Sequence, residues 1–514
     1  MPELSSLLSR GYFPAELPPP FSTTSFSEAI INNIANLPDG ITKTKKPGKT
    51  VVHNLARVGT LKRTLAIPNP IHQFRIANEI INGWDEITSI INGASLSKSK
   101  PIDDPSERRA LKREKGLEEL PLQRAHSRAT SKFILKTDLS RFYHSIYTHA
   151  IPWAIDGKQK AKKNKDNNPT LGSLLDIALR EGQDGQTLGI PVGPDTSLVI
   201  AELLLAQVDK SLNEQIEVNG FRYMDDYELS FNTRSGAENT LTILEDCLAD
   251  YELSLNPTKT AILENPVSLG HSWAFELQVF QLREDDKHQL NDIIRIFDRA
   301  FELARRYPTD SVLKYCISRL SAIDVKKESW EVIQDLTLQC MVSEPGVLPK
   351  AVEMFISHRD KGNDIDINKL GMALNVIIKN RSHSRLGSEV AWAIWACIVF
   401  EITIPEIICQ TMAKFYDPVV TLLLLDAQNQ GLTESKIDLS GMKHTLTTDG
   451  LYGRDWLLSY EARIKEWLPS VGMKNHINSD PAFNFLQKQN VTFYDCTAKE
   501  RTEYTDSTWT SIYG

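Results

Sequence analysis

The residues with the clearest chemical capacity are two adjacent aspartates, Asp225 and Asp226, near the middle of the chain. They lie within Phe221–Tyr227, where apolar and aromatic residues flank them on both sides, as expected for a tight hairpin with the carboxylates at its tip. Two neighbouring carboxylates repel each other strongly unless a divalent cation neutralises them. The pair therefore predicts a Mg²⁺ site for phosphoryl transfer.

The pair alone is a weak signal. A Tyr-any-Asp-Asp string occurs by composition in about one in twenty chains of this length, and Asp-Asp is common in solvated turns. A second carboxylate, Asp138, follows the apolar run Phe133–Leu135 at the predicted end of a strand. A two-metal site needs a carboxylate from a second strand to bridge both ions, and Asp138 fits that position. The alternative is a helix N-cap after a buried strand.

Two further segments extend the pattern. Between the carboxylates, Gly and Pro dominate Gly189–Ser197, and an amphipathic helix follows from Leu198. Such a loop brings backbone close to a nucleotide or base pair; the alternative is an ordinary loop with Asp195 or Ser197 as the helix cap. Downstream, a strand-like stretch ends at Lys259, which predicts a contact with a phosphate.

These segments together resemble the palm motifs of reverse transcriptases. Asp138 matches the first motif, Gly189–Ser197 the second, Tyr223–Asp226 the third and Leu255–Lys259 the fourth. The order and spacing agree across roughly residues 50–285. The joint occurrence is much more specific than any single motif, and it implies a palm and fingers of mixed α/β structure.

Finer details resemble one group of this family, the bacterial abortive-infection and phage-defence reverse transcriptases with their uncharacterised relatives. The similarity rests on Phe142–Ala154, Ile190–Pro194, Gly11–Phe21 and Arg63–Pro70. Template-directed enzymes usually carry Gln where Val192 stands, and Val cannot form the corresponding hydrogen bond. The departure favours synthesis with little or no use of a template.

The resemblance implies a role for each motif residue. Asp138, Asp225 and Asp226 would hold two Mg²⁺ ions, with Mn²⁺ as an alternative metal, and would be the catalytic residues. The expected nucleotide-binding residues are Arg63, Arg141, Tyr143, Val192, Gly193 and Lys259. Among them, Lys259 would neutralise the leaving group, and Tyr143 would exclude the 2′-hydroxyl, so that the product is DNA.

The resemblance also implies partners. Members of this group can start DNA synthesis from a tyrosine hydroxyl of the protein itself. The sequence does not identify the priming residue, and the candidates are Tyr12, Tyr494, Tyr504 and Tyr513. Expected partners are dNTPs, a single-stranded DNA product attached covalently to the protein, a non-coding RNA in one alternative, and further copies of the chain in a homo-oligomer.

Charge is distributed unevenly along the chain. The net charge of −8 divides into +7 over residues 1–200 and −15 over residues 201–514. Basic clusters at Lys43–Lys49, Arg108–Lys115 and Lys158–Lys165 favour contact with a nucleic-acid backbone; solvated surface is the alternative. Six scattered cysteines indicate reduced thiols, as expected in the cytoplasm. The longest apolar run, Val390–Phe400, is too short to cross a bilayer.

Hydrophobic spacing divides the chain into four predicted parts. These are an irregular N-terminal arm over residues 1–60, fingers and palm over 61–284, an all-helical domain over 285–467 and a polar tail over 468–514. Within the fingers, one helix is expected over 71–93, and the polar, charged residues 95–127 are expected to form a second helix with mobile flanks. The helical domain is expected to contain segments of ten to sixteen residues, and the family resemblance implies HEAT-like pairs there. The predicted segments are 309–323, 328–341, 346–357, 364–379, 386–401, 404–414 and 416–430.

Three functions remain open at this level. The first is an antiphage DNA polymerase of reverse-transcriptase type, primed by a tyrosine. The second is a reverse transcriptase that copies a dedicated non-coding RNA. The third is a helical interaction protein with a vestigial palm, although the complete set of carboxylates argues against that.

Overall fold

The computed structural model describes residues 1–56, 62–163, 169–283, 286–321, 323, 325–438, 440–468 and 475–498. Within these ranges no helix is long and apolar enough to span a membrane. One continuous hydrophobic core extends from the first helix to the last described segment, and a small separate cluster lies under the palm hairpin.

The N-terminal part is helical and packed, in contrast to the predicted irregular arm. It contains α1 (Leu4–Ser9), α2 (Thr24–Asn32), α3 (Asp39–Thr42) and the antiparallel hairpin of β1 (Val51–Ala56) and β2 (Lys62–Ile67). Its partners lie far along the chain: the amide of Ser22 donates to the carbonyl of Phe493 over 3.2 Å. The arm was predicted from its Pro-rich local pattern, which carries no information about such distant partners.

The fingers contain two short helices and a second hairpin. The helices are α4 (Pro70–Asn82) and α5 (Trp84–Asn92), and they separate at Gly83, where a Cβ would lie 2.2 Å from the Leu171 side chain. The single predicted helix over 71–93 is therefore two. In residues 95–127 the predicted helix is present only as α6 (Leu120–Arg128). The part expected to be a mobile flank instead contains a hairpin, in which β3 (Pro101–Asp103) pairs with β4 (Leu111–Arg113).

The palm is a four-stranded antiparallel sheet of β5 (Phe133–Asp138), β6 (Asn219–Tyr223), β7 (Asp226–Phe231) and β8 (Ala261–Glu264), in the order β6-β7-β5-β8. Between β5 and β6 the described residues form five helices. These are α7 (Phe142–Ser145), α8 (Ala150–Asp156), α9 (Lys158–Lys163), α10 (Leu171–Glu181) and α11 (Asp195–Gln215). Helix α11 is buried along most of its length, and α12 (Arg234–Ala249) packs against it and against β5 and β7.

The C-terminal half is helical, as the periodicity predicted. Its helices are α13 (Ser272–Gln278), α14 (Asp286–Arg306), α15 (Val312–Ser321), α16 (Lys327–Ser343), α17 (Leu348–Asp360), α18 (Ile367–His383), α19 (Gly387–Val399), α20 (Glu406–Met412), α21 (Pro418–Asn429), α22 (Trp456–Ile464) and α23 (Pro481–Lys488).

Alternate helices of this region pack side by side. Helices α14, α16, α18 and α20 form one layer, and α15, α17, α19 and α21 form a second. Helix α19 also contacts β1 of the first hairpin. The described part of the predicted tail also packs against the rest of the protein. Tyr494 is fully buried and forms an isolated antiparallel β-bridge with Phe21.

Candidate active site

The turn between β6 and β7 places the aspartate pair at the edge of the palm sheet. Tyr223 and Asp226 are register partners, so Met224 and Asp225 form the two-residue turn. Met224 adopts a positive φ of 54°, a conformation that is uncommon for residues other than glycine and that needs support from the surroundings. The predicted hairpin is therefore observed, with Asp225 in its turn and Asp226 as the first residue of β7.

A buried ionic network holds this turn. The guanidinium of Arg222 donates to both carboxylate oxygens of Glu202 at 3.1 and 3.0 Å and to Asp209 at 3.0–3.1 Å, and all three side chains are almost fully buried. The same guanidinium donates to the carbonyl of Met224 over 2.8 Å. The amide of Met224 donates to the hydroxyl of Ser99 over 2.6 Å. The carbonyl and the amide of Met224 are thus both hydrogen-bonded to buried side chains.

Asp138 lies across the sheet from the pair. It ends β5 and is the register partner of Asp226, and the amide of Leu139 donates to the carbonyl of Asp225 over 3.2 Å. Asp138 is 7% exposed, Asp225 is half-buried and Asp226 is exposed. The structure therefore brings the three predicted carboxylates to one edge of the palm.

Lys259 reaches the same place from the turn before β8. Its ammonium forms an ion pair with Asp138 Oδ2. The turn is fixed beside β5 because the amide of Asn256 donates to the carbonyl of Asp138 over 2.7 Å and that of Ser140 donates to the carbonyl of Ser254 over 2.8 Å. Although partial burial lowers it, the hydrogen bond to Asp138 and the neighbouring carboxylates raise the pKa of Lys259 overall, so the side chain is a cation.

The carboxylates disturb one another's ionisation. Desolvation, and then the charge of Asp138, raise the pKa of Asp225. Although Asp226 reaches the surface, desolvation at the hairpin and then the charges of Asp225 and Asp138 raise its pKa to about 7. Each added negative charge at this edge is therefore costly until a cation compensates it.

The donor set fits a divalent metal by its chemistry. Carboxylate oxygens from two adjacent strands are the ligands that Mg²⁺ and Mn²⁺ prefer. Such an ion would relieve the like-charge repulsion that, after desolvation, raises the pKa of Asp225 and Asp226. Within the described ranges no group of three or more His, Cys, Asp or Glu side chains converges closely enough to form a ready-made metal cluster. Lys259 instead supplies the positive charge at Asp138.

Charged groups act on two residues that follow β5, Tyr143 and His144. Burial is the main cause of the raised pKa of Tyr143, and the charged groups that act on its hydroxyl include Arg113, Asp225 and Arg63. Burial and then the charges of Arg141 and Arg63 lower the pKa of the neighbouring His144. The predicted residues Arg63 and Tyr143 thus interact electrostatically with Asp225, and Arg141 interacts with His144.

The Gly- and Pro-rich loop is tied to the first hairpin and to the N-terminal segment. The amide of Ala66 in β2 donates to the carbonyl of Val192 over 2.9 Å. Gly193 has a φ of 136°, and a Cβ there would lie 2.6 Å from Pro14 Cγ. Val192 is buried, so the loop presents mainly backbone rather than a side chain that could select a base.

The position of Arg109 contradicts one prediction made from the sequence. It was expected to contact nucleic acid, but it is only 8% exposed and pairs with the buried Asp195 at 2.6 Å. Its guanidinium also donates to the carbonyl of Gly193 over 2.9 Å. From the same basic cluster, Arg113 does face the site, with its guanidinium carbon 5.7 Å from the centre of the Tyr223 ring.

The structure does not bring the described priming candidates to the carboxylates. Tyr12 is fully buried and its hydroxyl donates to the carbonyl of Pro68 over 2.5 Å. Tyr494 is also fully buried and donates to Asp426 over 2.7 Å. Burial raises the pKa of both hydroxyls well above the ordinary value. Tyr504 and Tyr513 lie outside the described residues, as does Lys165 of the third basic cluster.

Sequence reasoning missed the residues that support the site. Arg222, Glu202, Asp209 and Ser99 were not singled out, and Arg113 was named only as part of a basic cluster. A signal was present: Arg222 stands between aromatic residues in a strand, and Glu202 interrupts the apolar run of α11. A charge on an apolar face requires a partner when it is buried.

Comparison with known proteins gives a family for the palm and fingers. Residues 62–274 match the family described as "Reverse transcriptase (RNA-dependent DNA polymerase)". No curated protein is significantly similar to the chain. The prediction of an RNA-directed DNA polymerase is confirmed at the level of this domain.

Solved structures of telomerases resemble the chain distantly. Apo telomerase from Candida tropicalis aligns with a TM-score of 0.32 and 11% identity over 70% of this chain and 66% of that one, just under two thirds of its length. Telomerase from Candida albicans in complex with the TWJ fragment of telomeric RNA aligns with a TM-score of 0.29 and 11% identity, over 69% of this chain and 67% of that one. The family match is the informative result: residues 62–274, less than half of the chain, are similar to reverse transcriptases.

Proposed function

We propose that this protein is an antiphage DNA polymerase of reverse-transcriptase type that adds dNTPs with two Mg²⁺ ions and is primed by a tyrosine. The main support for polymerase activity is that three carboxylates and a lysine lie together at one edge of the palm: Asp138, Asp225, Asp226 and Lys259. The defence role rests on the sequence resemblance of Phe142–Ala154 and of the Val192 loop.

The three carboxylates would hold the metal ions, and Asp226, at the exposed edge, would be the weaker ligand. When bound, the ions lower the pKa of the attacking hydroxyl and stabilise the pyrophosphate leaving group. In this protein Lys259 keeps Asp138 charge-balanced before substrate arrives, and its ammonium then neutralises the departing phosphate or donates a proton to it. Arg63, Arg141 and Arg113 bind and orient the triphosphate by charge.

Two features of the binding space select the substrate. The charge of Asp225 acts on the Tyr143 hydroxyl, and we propose that the ring collides with a ribose 2′-hydroxyl and so favours dNTPs. The buried Val192 offers no side-chain hydrogen bond to a base pair, which supports weak template use. Among the four candidate primers, Tyr12 and Tyr494 would have to leave the core, so we propose Tyr504 or Tyr513.

The helical half is proposed to be a HEAT-like stack that mediates homo-oligomer formation. Its support is the two-layered packing of alternate helices from α14 to α21. Light scattering of the purified chain would test the assembly, and a monomer at every concentration would contradict it.

Incorporation of dNTPs tests the proposed function. Nuclease-treated, full-length protein is incubated with each labelled dNTP and Mg²⁺ in the absence of added nucleic acid, and compared with Asp225→Ala and with Asp298→Ala, an exposed aspartate on α14. The proposal expects labelled protein from the wild type and from Asp298→Ala only, with mass spectrometry locating the nucleotide on a tyrosine. In a bacterial host the same variants are compared for phage plaque formation.

The alternative is a reverse transcriptase that copies a dedicated non-coding RNA. Incorporation that depends on an added or co-purified RNA, with a product complementary to that RNA, would favour this alternative. It would contradict the proposal of template-free synthesis. No incorporation under either condition would contradict a polymerase and favour an interaction protein with a vestigial palm.

A further inference from the structure

A cavity of about 460 Å³ opens beside the palm, between α8, α9 and α10. Its volume is in the range of small-molecule sites. One wall includes Tyr147 and Trp153, which belong to the segment Phe142–Ala154 that the sequence singled out. The cavity and the palm carboxylates share no residue.

Half-buried aromatic rings form this wall. The ring centres of Tyr147 and Trp153 are 5.8 Å apart with an interplanar angle of 66°, and those of Tyr147 and His149 are 5.0 Å apart at 86°. Edge-to-face packing fixes the rings relative to one another. The ammonium of Lys158 lies over the Trp153 ring, 4.6 Å from its centre, so a base that stacks on this ring must share it with that cation or displace it. A planar base is a suitable partner for such a wall.

Cations border the aromatic wall. Lys160, Lys162 and Arg180 line the cavity, and the ammonium of Lys162 lies 5.6 Å from the centre of the Trp153 ring. Lys160 and Lys162 are exposed, so their side chains can reorient toward a phosphate. To do so, Lys160 would leave its ion pair with Asp156, which is 3.6 Å long. An ammonium beside an indole suits a ligand that combines an aromatic ring with an anion.

The two acidic residues of the lining are already engaged. Asp156 accepts a hydrogen bond from Thr170 over 2.6 Å. Asp176 pairs with His149 over 2.8 Å and with Arg180 over 3.1 Å. An anionic ligand would therefore meet lysine ammoniums rather than unpaired carboxylates.

We propose that this cavity is an accessory binding site for a nucleotide unit, with the base against Tyr147 and Trp153 and the phosphate near Lys160 and Lys162. The same chemistry is offered by a free deoxynucleoside triphosphate and by a nucleotide of a single strand. The site lies outside the palm and uses none of its carboxylates, so it goes beyond the proposed polymerase function. Binding there requires neither metal nor catalysis.

Equilibrium binding tests the site in the full-length chain. Fluorescence anisotropy of a labelled short single-stranded DNA is measured in EDTA, which removes metal-dependent binding at the palm. Lys162→Glu is expected to weaken binding about tenfold, because it reverses the charge at the cavity. Lys163→Glu is the matched control, since this exposed lysine is the next residue of α9 and does not line the cavity. It should change affinity less than about twofold.

Photocrosslinking locates the ligand directly. A strand carrying 5-iododeoxyuridine and 8-azido-dATP are crosslinked separately to the wild type, to Asp225→Ala and to Trp153→Leu, and the peptides are identified by mass spectrometry. Crosslinks within residues 147–163 that persist in Asp225→Ala and are lost in Trp153→Leu support the site. Labelling by 8-azido-dATP assigns a free nucleotide as the ligand, and labelling by the strand alone assigns a nucleotide of a strand.

Two results would overturn the proposal. One is equal loss of affinity in Lys162→Glu and Lys163→Glu, which would indicate diffuse charge attraction. The other is crosslinking confined to peptides outside residues 147–163. Failure of polymerisation leaves these readouts intact, because Asp225→Ala is expected to lose incorporation and to keep the crosslink.

Discussion

Two ion pairs of nearly equal length distinguish the palm from the helical half. In the palm, Arg222 and Asp209 are 2.9 Å apart and neither side chain is exposed. On the helical half, Lys369 and Asp335 are 2.8 Å apart, and their side chains are 42% and 40% exposed. The two N···O distances are nearly the same, but solvent screens the Lys369–Asp335 pair and does not screen the buried Arg222–Asp209 pair. Breaking the buried pair is therefore expected to cost much more stability.

The contrast extends to how each region is built. The palm hairpin depends on buried charges that hold the backbone of Met224 in a strained turn. The helical half depends on apolar packing, with fully buried side chains such as Trp392 and Leu423. Substitutions in the palm should therefore alter chemistry, and substitutions in the helical half should alter stability alone.

The largest effect is expected for Asp225→Asn. Loss of a ligand charge should lower the rate of nucleotide incorporation about a thousandfold or more, equivalent to about 4 kcal/mol of transition-state stabilisation. Because the substitution also removes like-charge repulsion, the melting temperature should stay the same or rise. Incorporation assays and thermal melts measure both, with Asp298→Asn as the control. If Asp225→Asn were inactive only because it melts at a lower temperature, the loss of activity would come from unfolding and the predicted role of Asp225 as a metal ligand would be contradicted.

Arg222→Met breaks the buried network. It leaves Glu202 and Asp209 as uncompensated buried charges, which should reduce the free energy of unfolding by about 3–5 kcal/mol. The activity of the folded fraction should fall too, because the Met224 carbonyl loses its donor. Denaturant titration and specific activity are the measurements.

The matched substitution in the helical half is Leu423→Ala in α21. The cavity should cost about 2–5 kcal/mol of stability, with the activity per folded molecule unchanged. If both variants lose stability and neither loses specific activity, the network has no role in the site beyond folding.

Much of this contrast was visible in the sequence. The carboxylates were found from residue type and spacing, because a metal site constrains both. The helices of the C-terminal half were found from apolar periodicity: the segment predicted at 364–379 is Ile367–His383, and that at 416–430 is Pro418–Asn429. Both signals are local in the chain.

Non-local features were not predicted. The segment before β1 was expected to be an irregular arm, yet the indole of Trp392 donates to the carbonyl of Glu16 over 2.7 Å, a contact across 376 positions. The same burial removes Tyr12 from the surface. The hairpin of β3 and β4 was not predicted because three-residue strands are too short to show alternation.

Glu389 gives a smaller, pH-dependent effect where the two regions meet. The amide of Ala56 in β1 donates to one of its carboxylate oxygens over 3.1 Å, and the other has no partner among the described residues. Burial raises the pKa of Glu389 to about 7. The folded state thus holds this proton more tightly than the unfolded state, where the pKa is about 4.3.

The stabilisation from that proton is complete below the unfolded pKa and is lost as the pH rises through about 7. The melting temperature of the wild type should fall between about pH 5 and pH 8. Over this range the free energy of unfolding of Glu389→Gln should fall by about 1–3 kcal/mol less than that of the wild type. Melts across this range measure it. Parallel curves for the two proteins would show that Glu389 does not titrate in the folded state.

The smallest effect is expected for Lys369→Ala. Breaking this exposed pair should cost at most about 1 kcal/mol of stability, and less at high salt. Denaturant titration at two ionic strengths is the check. A loss as large as that of Arg222→Met would mean that burial does not separate the two pairs.

The central claim is that Asp138 and Asp225, with Asp226 beside them, bind divalent metal for nucleotidyl transfer. Anomalous diffraction from crystals grown with Mn²⁺ and a non-hydrolysable dNTP analogue tests it most directly. The account predicts manganese peaks at ligand distance from Asp138 and Asp225, with the Lys259 ammonium moved from Asp138 toward the phosphates. Nucleotide bound in the palm with no manganese at these carboxylates would contradict it.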